Sequence, residues 1–170
     1  EFLKDYFGGT VRESNSRDWV QTQQNTKRPP IKVRDKVLVT ENGDEEYLKK
    51  LGEEYPHRRI LQVPAEMAFG TGDHATTSTC LRLIADYAKS RRKSSWDMLD
   101  LGSGTGILAL VARALGASSA QGMDFDSIAV DVSRGNALRN EMPEVEFFQG
   151  DVFEWEPEGR KWDLVVANLF

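Results

Sequence analysis

The chain has 170 residues, 39% hydrophobic and 29% charged, the balance of a soluble globular protein long enough to bury one proper core. Its net charge of −5 argues against a chain whose main task is gripping nucleic acid, and its single cysteine, Cys80, excludes an internal disulfide, which favours a cytoplasmic protein. No apolar run approaches bilayer length, and the first residues, EFLKDYFGG, lack the basic start and apolar centre of a secretion signal, so neither membrane nor export is expected.

Residues 1 to about 64 are polar and weakly periodic. KRPPIK, with two prolines, reads as a rigid turn or linker. DKVLVTE (35–41) and RRILQVP (58–64) read as short strands, separated by a helix in DEEYLKKLG whose Gly52 suits its end. Trp19, Tyr47 and His57 are expected to be packing or surface residues. From Thr76 onward the pattern becomes regular. Thr76 to Arg91 carries Cys80, Leu81, Ile84, Ala85 and Ala88 at helical spacing, then WDMLDL reads as a buried strand. Ile107 to Leu115 is an apolar helix closed by Gly116, AQGMDF a second strand, Ser127 to Asn140 a helix, VEFFQGD a third strand and WDLVVANLF a fourth. This alternation predicts a parallel α/β sheet with right-handed crossovers, whose strand C-termini share one edge where ligands bind.

Each of these strands brings a polar residue to that edge: Asp100, Asp124, Asp151 and Asn168 in turn. Singly, each fits a cap for the following turn, the role preferred for Asp126 and Ser127. Four together point to a ligand. After Asp100 come Gly102, Gly104 and Gly106, and GTGILA fits the dinucleotide pattern G-x-G-x-x-A with Asp124 about twenty residues on, so the motif by itself admits an NAD-linked oxidoreductase. Asp100 weighs against a diphosphate: like charges at about 4 Å in an effective dielectric near 20 repel by about 4 kcal/mol. A cationic ligand suits the edge better. S-adenosylmethionine (AdoMet) carries an ammonium and a sulfonium, which Asp100 would balance. Gly102 and Gly104 would admit its methionine end, Asp124 would accept from both ribose hydroxyls, and Asp151 from the adenine amino group.

DLGSGTG, GMDFD, QGDVF and DLVVANLF resemble the successive motifs of class I AdoMet-dependent methyltransferases. More narrowly, AFGTGDHATT (68–77) with DLGSGTGILAL and VVANLF resembles the bacterial ribosomal protein L-eleven methyltransferase (PrmA) family, and the similarity runs from about Arg17, through RDWVQTQ, to Phe170. The resemblance implies a Rossmann-like sheet with helices on both faces and an AdoMet-dependent N-methyltransferase, with S-adenosylhomocysteine as product and a ribosomal protein as partner. No metal and no direct nucleic-acid binding are expected. It implies one site under two glycine-rich loops. GSGTG forms the floor, and FGTGDHATT folds over it, with Phe69 closing against the ligand, Gly70 permitting the tight path, and Thr71 and Thr77 supplying hydrogen bonds. Asn168 is implied both as a cofactor-binding residue and as the catalytic one, offering its side-chain oxygen to a neutral amine, helped by the carbonyl of Leu169.

Two histidines and an isolated thiol make a poor zinc set, so His74 is read as holding the loop or capping the following helix. Asp73 stands where the family usually has threonine, and Ala75 where it has proline. The family's sheet has seven strands, whereas this chain stops at the fourth and has almost none of the family's N-terminal substrate domain. The expected organisation is therefore a linker region with short strands over 1–64, a remnant beside a missing domain, and an AdoMet-binding domain over 65–170 truncated at its C-terminus. A non-catalytic AdoMet-binding module is the third reading.

Overall fold

A computed structural model describes residues 29–64, 75–91 and 94–169. Phe69, Gly70, Thr71, Asp73, His74 and Trp19 lie outside them. The elements in order are β1 (Ile31–Val33), β2 (Val37–Thr40), α1 (Glu45–Glu54), β3 (Arg59–Gln62), α2 (Ala75–Ser90), β4 (Asp97–Leu101), α3 (Ile107–Ala114), β5 (Ser119–Asp124), α4 (Ser127–Arg139), β6 (Glu146–Gln149) and β7 (Leu164–Ala167).

The strands form two sheets. The larger has the order β6-β5-β4-β7 with every pairing parallel, as the alternation predicts. Register places Asp100 beside Gly122 and Val166, and Asp124 beside Gln149, so the strands end level at one rim. The smaller sheet, β1-β2-β3, differs from expectation at its start: Pro29 and Pro30 lead straight into strand β1, antiparallel to β2, while β2 and β3 are parallel. Gly52 also departs from its expected place. Helix α1 starts on Asp44, whose side chain accepts from the Tyr47 amide, and continues two residues beyond Gly52 to Glu54.

One apolar core unites the sheets. Val33, Val37, Val39 and Leu61 of the small sheet join Leu81 and Ile84 of α2, Met98 of β4 and residues 107–112 of α3 in a single cluster. Ile107 to Ala112 are all buried, which explains an α3 sequence that is apolar on every side. Burying each Leu, Ile or Val here is worth about 1.5–3 kcal/mol, so α3 anchors the glycine loop that precedes it. Gly106 opens the helix at φ 78° and Gly116 follows it at φ 100°.

Helix α4 is built differently. Its inward face mixes Ala129, Val130 and Ala137 with two buried polar residues, Ser133 and Asn136. The Ser133 hydroxyl donates to the Val130 carbonyl and Asn136 to that of Thr105, so neither is orphaned. Asp126 caps the helix by accepting from the Ile128 amide, the role expected of it. Among the described residues, no helix is long and apolar enough to cross a membrane.

Candidate active site

The floor of the site is the turn from β4 into α3. The amides of Gly102 and Ser103 both donate to the Met123 carbonyl, at 2.8 and 2.9 Å, which folds the loop back over the end of β5. Asp124 then grips it from the ligand side: its Oδ2 accepts from the Gly104 amide at 2.8 Å while Oδ1 accepts from the Asp126 amide at 3.0 Å. A carboxylate has about four acceptor positions, so two amide bonds leave Asp124 room for hydroxyl donors.

Asp100 is the anomaly. It lies inside β4, one residue before the strand's end, is fully buried, and among the described residues neither carboxylate oxygen has a hydrogen-bond partner. Burial pushes its carboxyl well above the usual carboxylate range, and the charge of Asp124 pushes it further. The Ala109 amide, in the first turn of α3, opposes this without reaching hydrogen-bond geometry. The neighbouring Ser103 hydroxyl is also buried and unpartnered. A group in this state calls for a cation or for several donors.

The loop has little space beyond its backbone. A Cβ at Gly102, where φ is 71°, would stand 2.2 Å from Leu169 Cδ2. One at Gly106 would meet the Phe147 ring at 2.7 Å, and one at Gly122 the same ring at 2.5 Å. Phe147, Ser103 and Ser133 thus fill the space under the loop.

On the other side, Asn168 follows β7 and donates from Nδ2 to the Thr77 hydroxyl at 3.3 Å. Thr77 is buried in the first turn of α2. With its amide nitrogen committed, Asn168 has its carboxamide oxygen to offer as acceptor. Asp151 is exposed and caps its own turn, accepting from the Phe153 amide at 2.9 Å, and sits two residues beyond β6. The rim therefore brings together Asp100, Gly102, Gly104 and Asp124, pairs Asn168 with Thr77, and carries Asp151 at its outer end. Phe69, Gly70 and Thr71 lie outside the described residues.

Sequence reasoning passed over three neighbours. Ser103 reads as spacer between glycines, and only its burial marks it. Phe125, directly after Asp124, is 75% exposed at the rim, and the Gln149 side chain donates from Nε2 to its carbonyl at 3.0 Å. The third is Asn136 beneath the loop. An open cavity of about 600 Å³ lies elsewhere, lined among others by Arg34, Asp35, His57, Arg59, Asp86 and Lys89, and none of the predicted site residues that are described borders it. The buried, unpartnered acceptor at Asp100 is the stronger functional signal. Among the described residues, no group of three or more His, Cys, Asp or Glu side chains could hold a metal ion.

The family model of the ribosomal protein L11 methyltransferase (PrmA) matches residues 2–170. The chain belongs to that family. PrmA relatives include the ribosomal protein L11 methyltransferase of Dictyoglomus turgidum, 34% identical over 172 residues that cover 98% of this chain and 52% of that protein. That of Clostridium perfringens is 36% identical over 166 residues, 95% of this chain and 48% of the relative. The chain thus spans about half the length of these PrmA relatives. A crystal structure of ribosomal protein L11 methylase from Lactobacillus delbrueckii subsp. bulgaricus superposes with a TM-score of 0.61 at 22% identity, covering 82% of this chain and 66% of that one, which shows the PrmA fold.

Proposed function

We infer that the chain is the AdoMet-binding part of an N-methyltransferase acting on amino groups of a ribosomal protein of the L11 type, with residues 65–170 as its cofactor domain. The observation that carries this is Asp100, a buried carboxylate with both oxygens unpartnered, under a glycine loop that Asp124 holds. AdoMet fits that chemistry, since a cation beside Asp100 would satisfy the orphaned oxygens, and glycines at 102 and 104, both at positive φ, set no side chain of their own between it and the loop backbone. When bound, it supplies a methyl group on a positively charged sulfur and leaves as S-adenosylhomocysteine.

Asp100 would face the ammonium. Asp124, already fixed by two amides, would accept from the ribose hydroxyls, and Asp151 at the outer rim from the adenine amino group. Thr77 anchors Asn168. A lysine amine, with a pKa near 10.4, must arrive neutral, and a carboxamide oxygen accepting from one of its N–H groups orients the lone pair without adding charge. The Asn168 oxygen fills that role. The reaction needs no proton relay within the protein beyond loss of the amine's proton to water.

The dinucleotide alternative draws no support from the family match. The test is transfer of tritiated methyl groups from AdoMet into undermethylated ribosomes, alongside titration with S-adenosylhomocysteine. Label is expected in a ribosomal protein, and Asn168→Ala is expected to lower kcat about 100-fold or more with the affinity for S-adenosylhomocysteine near wild type. Label in another fraction overturns the substrate. Tight S-adenosylhomocysteine binding without any transfer makes the chain a binding module, and binding of NADH instead overturns the cofactor.

A further inference from the structure

Helix α4 ends with two carboxamides one turn apart, Asn136 and its C-cap Asn140. Asn136 is fully buried, a state an amide tolerates only when bonded. Its Nδ2 donates to the Thr105 carbonyl, inside the glycine loop, at 3.0 Å, and its Oδ1 accepts from Arg139 at 2.5 Å. Asn140 reaches in another direction. Its Oδ1 accepts from the Gln62 amide at 2.8 Å, and its Nδ2 donates to the Gln62 carbonyl at 2.7 Å and to the Asn136 carbonyl at 2.8 Å. Among the described residues strand β3 pairs with β2 alone, and Asn140 bonds the Gln62 backbone as a neighbouring strand would.

These bonds form one path from the last residue of β3, through the end of α4, to the residue after Gly104. Each link is buried or half-buried, where hydrogen bonds hold geometry best. The loop is then held at adjacent residues by two side chains: Asp124 takes the Gly104 amide and Asn136 the Thr105 carbonyl. Turning either peptide moves both. The position of the Gly104 amide relative to Asp100 and Asp124 accordingly depends on a residue that touches neither.

We propose that Asn136 and Asn140 are a positioning pair that ties the glycine loop to the end of β3 and thereby sets the loop's affinity for its ligand. This rests on the reading of the loop as the AdoMet site. If each amide served only its local backbone, replacing Asn140 would loosen Gln62 and leave the loop alone.

The experiment compares wild type with Asn140→Ala, Asn140→Asp, Asn136→Ala and the double alanine variant. It measures amide hydrogen exchange in the unliganded proteins and affinity for S-adenosylhomocysteine. Asn140→Ala is expected to speed exchange across Gly102–Gly106 and to weaken binding about three- to tenfold, the scale of one lost hydrogen bond. Asn140→Asp keeps the acceptor for Gln62 but loses both donated bonds, and should fall between the two. The double variant should lose less than the product of the single losses, because both cut one path. Exchange that rises at Gln62 and Val63 alone with affinity unchanged, or losses that simply multiply, would overturn the proposal. Should Asn136→Ala fail to fold, the two Asn140 variants decide. If wild type binds no S-adenosylhomocysteine, the AdoMet reading fails, and the exchange data still decide whether the pair couples the loop to β3.

Discussion

Alanine in place of Gly106 gives a prediction whose size follows from the coordinates. At φ 78° an L-residue bears about 1–2 kcal/mol of left-handed strain. Its Cβ would then lie 2.7 and 2.9 Å from two carbons of the Phe147 ring and 3.0 Å from Ser133 Cβ. Both neighbours are buried and cannot swing aside, so overpacking adds about 1–3 kcal/mol. The expected loss is about 2–5 kcal/mol, a large share of the roughly 5–15 kcal/mol that holds a domain together. Two other glycines serve as controls. Gly116, at φ 100° with nothing near its would-be Cβ, should show the backbone part alone, about 1–2 kcal/mol. Gly135, inside α4 with open space around it, should gain about 0.5–1 kcal/mol as alanine. Urea unfolding of the three variants measures all of this. If Gly106→Ala proves no worse than Gly116→Ala, the packing under the loop is not as tight as described and the reasoning fails.

Asp100→Asn removes a carboxyl held well above its ordinary range by burial. The folded protein keeps this proton more tightly than the unfolded chain, so the group's stabilising contribution is full below the ordinary value of 3.8 and is lost as pH rises through the folded value. Wild type should therefore lose stability relative to Asp100→Asn as pH rises above the ordinary carboxyl value toward the raised folded one, read from urea midpoints, and parallel curves would refute the assignment. Burial, then Asp100, pushes up the Cys80 thiol. Iodoacetamide at neutral pH should alkylate Cys80 more slowly than a free thiol and faster in Asp100→Asn, and an unchanged rate in the variant would remove Asp100 as a cause. Trp162 donates from Nε1 to the Oε1 of buried Gln121 at 3.1 Å. Trp162→Phe should cost about 1–3 kcal/mol for the orphaned acceptor, and an effect below about 0.5 kcal/mol in urea would show that Gln121 finds another donor.

The parallel sheet was legible because its strands and helices are told apart by period and by punctuating glycines: Gly116 follows α3 closely, as expected. Boundaries agree within a residue or two where an apolar stripe sets them, as in α2, whose Leu81, Ile84, Ala85 and Ala88 are all buried. The start of the chain was harder. A three-residue strand at Ile31 carries no period of its own and is a strand only because Val37–Val39 lies beside it. Gly52 read as a helix end, yet the backbone bond from the Tyr55 amide to the Leu51 carbonyl closes the helix beyond it.

The chemistry at the rim was legible as residue type and not as state. Strand ends point to Asp100, Asp124 and Asn168, but no spacing says that Asp100 is orphaned, that Asp124 grips a loop amide, or that Asn168 is bonded to Thr77 across 91 positions. Asn136 was invisible for a related reason. Its polarity blurs the apolar stripe of α4, and only the fold shows that a loop carbonyl needs it there.

The orphaned carboxylate also links occupancy to durability. An empty protein carries the cost of Asp100 in full, whereas a bound cation relieves it and adds RT ln(1 + [L]/Kd) to the free energy of unfolding. Copies that run short of ligand open more often and are the first exposed to proteases, so the amount of this protein in a cell would follow the supply of the molecule it binds.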